Sequence, residues 1–195
     1  MTKRIILASA SPRRQQLLAQ VGIKHEVIVS DADETVTGSP AEQVEEVARR
    51  KAIAVWQRLN SPSDTIVIAA DTLVCVGGEV MGKPGTQEEA FEMLKKLQGN
   101  THKVYTGVVI VDSLKTTAFF DVAEVTFRAL CDKEILAYIA TGEPFDKAGA
   151  YGIQERGAAL IDCINGDFYS VVGLPISKVC TALGQRGYEY WGKSI

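Results

Sequence analysis

Ser9-Ala10-Ser11-Pro12-Arg13-Arg14 places two hydroxyls, a proline and two guanidinium groups in one short segment. It follows the apolar run Arg4-Ile5-Ile6-Leu7-Ala8 and precedes Gln15-Gln16-Leu17-Leu18-Ala19, so it joins a buried strand to a helix. Ser11 suits the N-cap, and Pro12 suits the first helical position, where a missing N–H costs nothing. Two arginines in a first turn sit at the positive end of the helix dipole, which disfavours them. A bound anion would reverse that penalty, and hydroxyls, free helix N–H groups and guanidinium forks are the ingredients of phosphate binding. The same residues also suit an ordinary capped helix whose arginines face water, and so short a motif does not separate the two.

Four further places could contribute chemistry. Ile66-Val67-Ile68-Ala69-Ala70-Asp71-Thr72 is an apolar strand that delivers a carboxylate and a hydroxyl at its expected C-terminal end, where ligands of open α/β sheets sit. Lys51 lies four residues from both Val47 and Val55, on the apolar stripe of an expected helix. It is either a lysine snorkelling to the edge or a cation aimed at a ligand. Asp31, Asp33 and Glu34 crowd a loop; such a cluster is a solvated surface or, with Asp71, a set of oxygen ligands for a hard divalent cation. Gly77 and Gly82-Lys83 nearly spell a phosphate-binding P-loop, but Pro84 stands where that loop needs Ser or Thr. The P-loop is therefore excluded, and Lys83 remains a candidate phosphate contact on a tight turn.

Asp146-Lys147-Ala148-Gly149-Ala150-Tyr151-Gly152-Ile153-Gln154 combines small residues, which admit close backbone approach, with an amide carrying both donor and acceptor. That pair matches the imide edge of uracil or thymine. Gly166–Pro175 suggests a hairpin entering the last helix, with Asp167 structural. Only two histidines are present, with no Gly-x-Ser-x-Gly elbow, which argues against a covalent hydrolase. Cations, carboxylates and one amide suit metal-assisted attack of water on a phosphoanhydride.

The elements that must position these groups alternate. Strands are expected near 3–8, 24–30 and 64–71, with helices at 12–21 and 40–57. A hairpin follows at Gly77-Gly78, then a helix near 86–98. Long β segments over 103–112 and 116–128 turn at Asp112-Ser113. A helix near 132–141, short strands near 157–164 and 167–172, and a helix from Pro175 to about Gly184 complete the chain. This order predicts an α/β fold with a mixed twisted sheet and flanking helices.

The 195 residues suffice for one domain over 1–195. A net charge of −3 without any basic block speaks against a stable nucleic-acid partner. No apolar run approaches the roughly 20 residues of a membrane span, and no signal peptide is expected. Cys75, Cys131, Cys163 and Cys180 form no Cys-x-x-Cys pair and are expected to be buried thiols in a reducing cytoplasm.

Taken together and in order, Ser9–Arg14, Asp33-Glu34, Arg50-Lys51-Ala52, Ala70-Asp71-Thr72, Gly82-Lys83-Pro84, Val104-Tyr105-Thr106-Gly107, Asp146–Gln154 and Gly173-Leu174-Pro175 resemble the Maf family of nucleoside triphosphate pyrophosphatases over nearly the whole chain. The resemblance implies two lobes around a cleft, similar to the inosine triphosphatase fold. It implies hydrolysis of a nucleoside triphosphate to monophosphate and pyrophosphate with Mg²⁺ or Mn²⁺, and it admits a homodimer. By the same resemblance Asp71 is the general base, and Glu34 and Asp71 hold the metal. Ser9, Ser11, Arg13, Arg14, Lys51, Thr72, Lys83 and Gln154 contact the substrate. Arg13, Thr72 and Gln154 match the branch acting on dTTP and UTP, which removes such nucleotides, modified pyrimidines included, before they enter nucleic acids. A nucleotide-binding regulator of septum formation without turnover is the alternative function attached to the family.

Overall fold

β1 (Arg4–Leu7) leads through the Ser9 loop into α1 (Pro12–Gln20), then to β2 (Glu26–Val27) and α2 (Pro40–Arg58). β3 (Thr65–Val76) and β4 (Glu79–Met81) form a hairpin before α3 (Gln87–Leu97). β5 (Thr101–Val111) and β6 (Thr116–Phe127) precede α4 (Asp132–Ile139). Three short 3₁₀ turns between Glu143 and Leu160 then lead to β7 (Ile161–Asn165), α5 (Phe168–Val172) and α6 (Ile176–Gly184). These elements come from a computed structural model that describes residues 3–60 and 62–189.

The strands form a seven-stranded sheet in the order β2-β1-β3-β5-β6-β7, with β4 paired to β3. β1 runs parallel to β2 and β3, whereas β3–β4 and β6–β7 are antiparallel, so the sheet is mixed as expected. By internal contacts the chain gathers into two compact units, and β3, β5 and β6 each contribute residues to both.

The first unit comprises residues up to Asp71, Thr106–Asp121 and those from Gly173 onward. Its core packs Ala48, Ala52 and Val55 of α2 against Ile6, Val67 and Val109. α2 starts at a capping box: Glu42 N–H donates to Ser39 Oγ at 3.4 Å, and Ser39 N–H donates to the Glu42 carboxylate at 2.8 Å. Gly107 of β5 lies against the α2 backbone, and any Cβ there would collide with the Val44 carbonyl. This close approach fixes the height of α2, and so of Lys51.

The second unit comprises Thr72–Tyr105 and Val122–Val172. Leu94 and Leu97 of α3 and Ile135 of α4 pack with Val104, Phe127 and Tyr151. His102 is buried there, edge-on to Phe127 and Tyr151, with Nε2 2.8 Å from the Tyr151 hydroxyl.

Several expectations change. β3 does not stop at Asp71: its antiparallel pairing with β4 carries it to Val76, so Asp71 lies mid-strand. β2 shrinks to two residues. Within the segment 167–172, Phe168–Val172 is helical, because Asp167 accepts from Tyr169 N–H at 2.9 Å and from Ser170 Oγ at 3.2 Å. That cap overrides the β-propensity of Phe-Tyr-Ser-Val-Val, and Asp167 is structural as expected. Residues 157–160 form a 3₁₀ turn, and only 161–165 are strand. Of the cysteines only Cys75 is buried, while Cys131 and Cys163 are exposed. Among the described residues no helix is long and apolar enough to cross a membrane.

Candidate active site

The loop after β1 folds around Ser9. This buried hydroxyl accepts from Ser11 N–H at 3.3 Å and from Arg14 Nη1 at 3.0 Å. Ser11 caps α1 by accepting from Arg14 N–H at 3.5 Å, and Pro12 is the first helical residue. Arg14 Nε also donates to the Gly173 carbonyl at 2.8 Å, which ties the loop to the start of the last segment of the first unit. Burial pushes the Arg14 guanidinium below its usual range and Arg13 adds to that, while Asp71 and Glu34 oppose it. Ser9, Ser11 and Arg14 are thus brought together, and Arg14 lies within electrostatic reach of Asp71 and Glu34. Arg13 is half-buried in the same helical turn, which contains no acidic residue.

Lys51 resolves the ambiguity of its apolar stripe. Its side chain is only 12% exposed and does not reach for water. Nζ donates to Asp71 Oδ1 at 2.9 Å and pairs with Glu34 Oε1 at 3.0 Å. The three residues come from a helix, a strand and a loop. Parallel pairing of β1 with β3 ends at Leu7–Ile68, so Asp71 projects three residues past the end of that ladder, where full burial of β3 gives way to partial exposure.

Glu34 reaches Lys51 because its loop is clasped from α2. Arg50 Nη1 donates to the carbonyls of Asp33 at 3.3 Å and Thr35 at 3.1 Å. Arg58 donates to the Val29 carbonyl at 3.0 Å and to Asp31 Oδ1 at 2.6 Å. The three carboxylates of this loop therefore do not converge, and the alternative of a joint ligand set with Asp71 is not realised. Asp31 pairs with Arg58, and Asp33 accepts from Thr35 N–H at 2.9 Å and faces Arg50, leaving Glu34 alone with Asp71.

Thr72, Lys83 and Gln154 belong to the second unit. Thr72 is half-buried and follows Asp71 directly; Lys83 and Gln154 are exposed. The turn bearing Lys83 is pinned to the Asp146–Gln154 segment by Gly149 N–H, which donates to the Gly82 carbonyl at 3.0 Å.

Among the described residues no group of three or more His, Cys, Asp or Glu could enclose a metal ion. The structure offers instead two carboxylate oxygens converging on one cationic atom, at 2.9 and 3.0 Å from Lys51 Nζ. One or two carboxylates, completed by substrate phosphates and water, are the donor set Mg²⁺ commonly uses, so Glu34 and Asp71 fit such an ion.

Sequence reasoning missed two sets of supporting groups. The guanidinium clasps of Arg50 and Arg58 carry only the signal of arginines on the polar face of α2. Tyr138 and Glu143 bracket the end of α4 and make buried polar contacts described below. Tyr138 is buried, and no feature of the sequence around it signals these contacts.

The sequence matches the family described as Maf-like protein over residues 4–186. The dTTP/UTP pyrophosphatase of Bacillus cereus (strain ATCC 10987 / NRS 248) is 49% identical over 185 residues, covering 94% of this chain and 90% of that protein. The dTTP/UTP pyrophosphatase of Bacillus anthracis is 49% identical over 185 residues, covering 94% and 95%. Among solved structures, the Staphylococcus aureus Ham1 protein gives a TM-score of 0.46 at 22% identity, covering 64% of this chain and 72% of that one. Protein VC0702 from Vibrio cholerae gives 0.45 at 12% identity, covering 97% and 100%. The family match and the two Bacillus relatives establish that this chain belongs to the Maf-like protein family.

Proposed function

We propose that this chain is a nucleoside triphosphate pyrophosphatase that converts dTTP and UTP, and modified pyrimidine triphosphates, to the monophosphate and pyrophosphate. The observation that carries this reading is the Glu34–Lys51–Asp71 arrangement, with both carboxylates within 3.0 Å of one ammonium. It occurs in a chain 49% identical to proteins named dTTP/UTP pyrophosphatase.

Asp71 acts as general base. Its carboxylate takes a proton from water as the water oxygen attacks the α-phosphorus, and the bridging α–β P–O bond breaks to release pyrophosphate. Lys51 orients Asp71 in the resting arrangement and offers the phosphates a cation. Lys83, Ser9, Ser11 and Arg14 hold phosphate oxygens, with Ser9 and Ser11 already oriented at the start of α1. Thr72 supports the substrate beside Asp71, while Arg13 and Gln154 select the base. A divalent cation, Mg²⁺ or Mn²⁺, held by Glu34 and Asp71, would offset negative charge on the phosphate oxygens.

The chain works in this reading as one Maf-like domain over 1–195, in the cytoplasm and without a stable nucleic-acid partner; the family resemblance also admits a homodimer. Residues 1, 2, 61 and 190–195 of that domain lie outside the described residues.

Pyrophosphate release from a panel of triphosphates, with and without Mg²⁺ or Mn²⁺, tests the reading. Preferred, cation-dependent turnover of dTTP and UTP is the expected result. A preference for 7-methyl-GTP overturns the substrate assignment. No release from any triphosphate returns the nucleotide-binding regulator of septum formation.

A further inference from the structure

Gln154 sits at the exposed tip of a loop, Gly152–Gly157, that closes on itself. Gly157 lies so near Gly152 that a Cβ on it would collide with the Gly152 carbonyl and stand 2.8 Å from the Tyr138 hydroxyl. Gly152 is just as crowded, because a Cβ there would meet Lys147 Cε at 2.5 Å.

Beneath the loop lies a saturated polar pair. Gly152 N–H donates to the Tyr138 hydroxyl at 3.1 Å, and that hydroxyl donates to Glu143 Oε1 at 3.0 Å. Gly157 N–H donates to the same Oε1 at 3.0 Å, and Arg156 N–H donates to Oε2 at 3.0 Å. One buried tyrosine–glutamate pair therefore binds the backbone on both sides of Gln154. Burial raises the Tyr138 phenol well above its usual range, so the hydroxyl keeps its proton and serves as donor and acceptor together. Lys147 closes the base of the arrangement, donating from Nζ to the Glu143 carbonyl at 2.8 Å.

We propose that Tyr138 and Glu143 are positioning residues that staple the Gly152–Gly157 loop and, by holding Gln154 in one geometry, set the choice of nucleobase. The physical warrant is preorganisation. A glutamine on a mobile loop must be ordered by each substrate at an entropic cost, whereas a stapled one presents its donor and acceptor already aligned. Neither residue touches substrate in this account. The inference rests on the reading of Gln154 as the base-selecting amide.

The test compares Gln154→Ala, Glu143→Gln and Tyr138→Phe in the full chain, following steady-state kinetics on dTTP and dGTP and amide hydrogen exchange over 152–157. Glu143→Gln keeps the shape but turns an N–H group toward a backbone donor, and Tyr138→Phe removes only the hydroxyl. Each is expected to raise the KM for dTTP about tenfold, narrow the dTTP-over-dGTP preference, leave kcat within about twofold, and speed exchange at 153–157. Gln154→Ala is expected to narrow the same preference without faster exchange. If Gln154→Ala changes KM and preference but Glu143→Gln and Tyr138→Phe change neither, the staple is refuted. A Gln154→Ala enzyme with unaltered preference removes the base-selecting reading instead, and the exchange rates of the other two variants still decide whether the pair holds the loop. A uniform fall in kcat with unchanged preference would make the pair merely structural and overturn the inference.

Discussion

Lys51 and Lys147 are both largely withdrawn from water, with side chains 12% and 9% exposed, yet their surroundings differ in kind. Lys51 meets two carboxylates brought from distant parts of the chain, and one of them, Glu34, is 61% exposed. Lys147 meets a carbonyl four residues away and the adjacent Asp146 at 2.6 Å, beside a glutamate already satisfied by backbone amides. Each lysine pairs with a largely exposed carboxylate, Glu34 at 61% and Asp146 at 64%, but the first cluster converges from three elements whereas the second joins near neighbours in sequence. In the proposed function the first cluster serves chemistry and the second architecture, and the partners differ accordingly.

This contrast can be broken or sharpened by substitution. The largest effect is expected from Asp71→Asn: kcat should fall about 10³-fold with the thermal midpoint little changed, because an amide keeps the shape but cannot take the proton. Thermal melts run beside the kinetics check both halves of that statement. Lys51→Met should lower kcat/KM about 100-fold, since it removes a cation aimed at the phosphates and leaves two carboxylates facing each other. Glu34→Gln in the Lys51→Met background should recover stability without recovering turnover, which chemical denaturation would read.

In the second unit the balance should reverse. Tyr138→Phe strands the buried Gly152 amide and removes one of the two donors to Glu143 Oε1, and should cost about 1–3 kcal/mol in urea unfolding while kcat holds. A further effect is acid dependence at His102. Burial lowers this imidazole from 6.5 to about 4, so the unfolded chain takes up its proton first. Its share of stability is complete above about pH 6.5 and is lost as pH falls toward 4, with a slope of at most about 1.4 kcal/mol per pH unit. Urea midpoints between pH 7 and 5 should fall for the native chain, and less steeply for His102→Asn.

The sequence carried much of this. Strand–helix alternation, the Ser11 cap and the glycine hairpin at Gly77-Gly78 are local signals, and the elements they announce are present. Helix periodicity put Lys51 on the buried stripe, but only the fold shows that Asp71 and Glu34 await it. The length of β3 was not legible, because its last residues are strand only by pairing with β4. Phe168–Val172 looked like strand because those residues favour it, and one aspartate cap decided otherwise. Asp31 and Asp33 looked equivalent to Glu34, and long-range arginines separated them. The Tyr138–Glu143 pair stayed hidden because a buried tyrosine and a glutamate after a helix announce nothing until the backbone amides of 152–157 are in place.

Hydrolysis of dTTP in ¹⁸O-labelled water, with mass analysis of both products, tests the central claim most directly. Attack on the α-phosphorus by water deprotonated at Asp71 places the label in thymidine monophosphate and leaves pyrophosphate unlabelled, and Asp71→Asn slows its appearance about 10³-fold. Label in pyrophosphate, release of inorganic phosphate in its place, or undiminished labelling by Asp71→Asn would contradict the account.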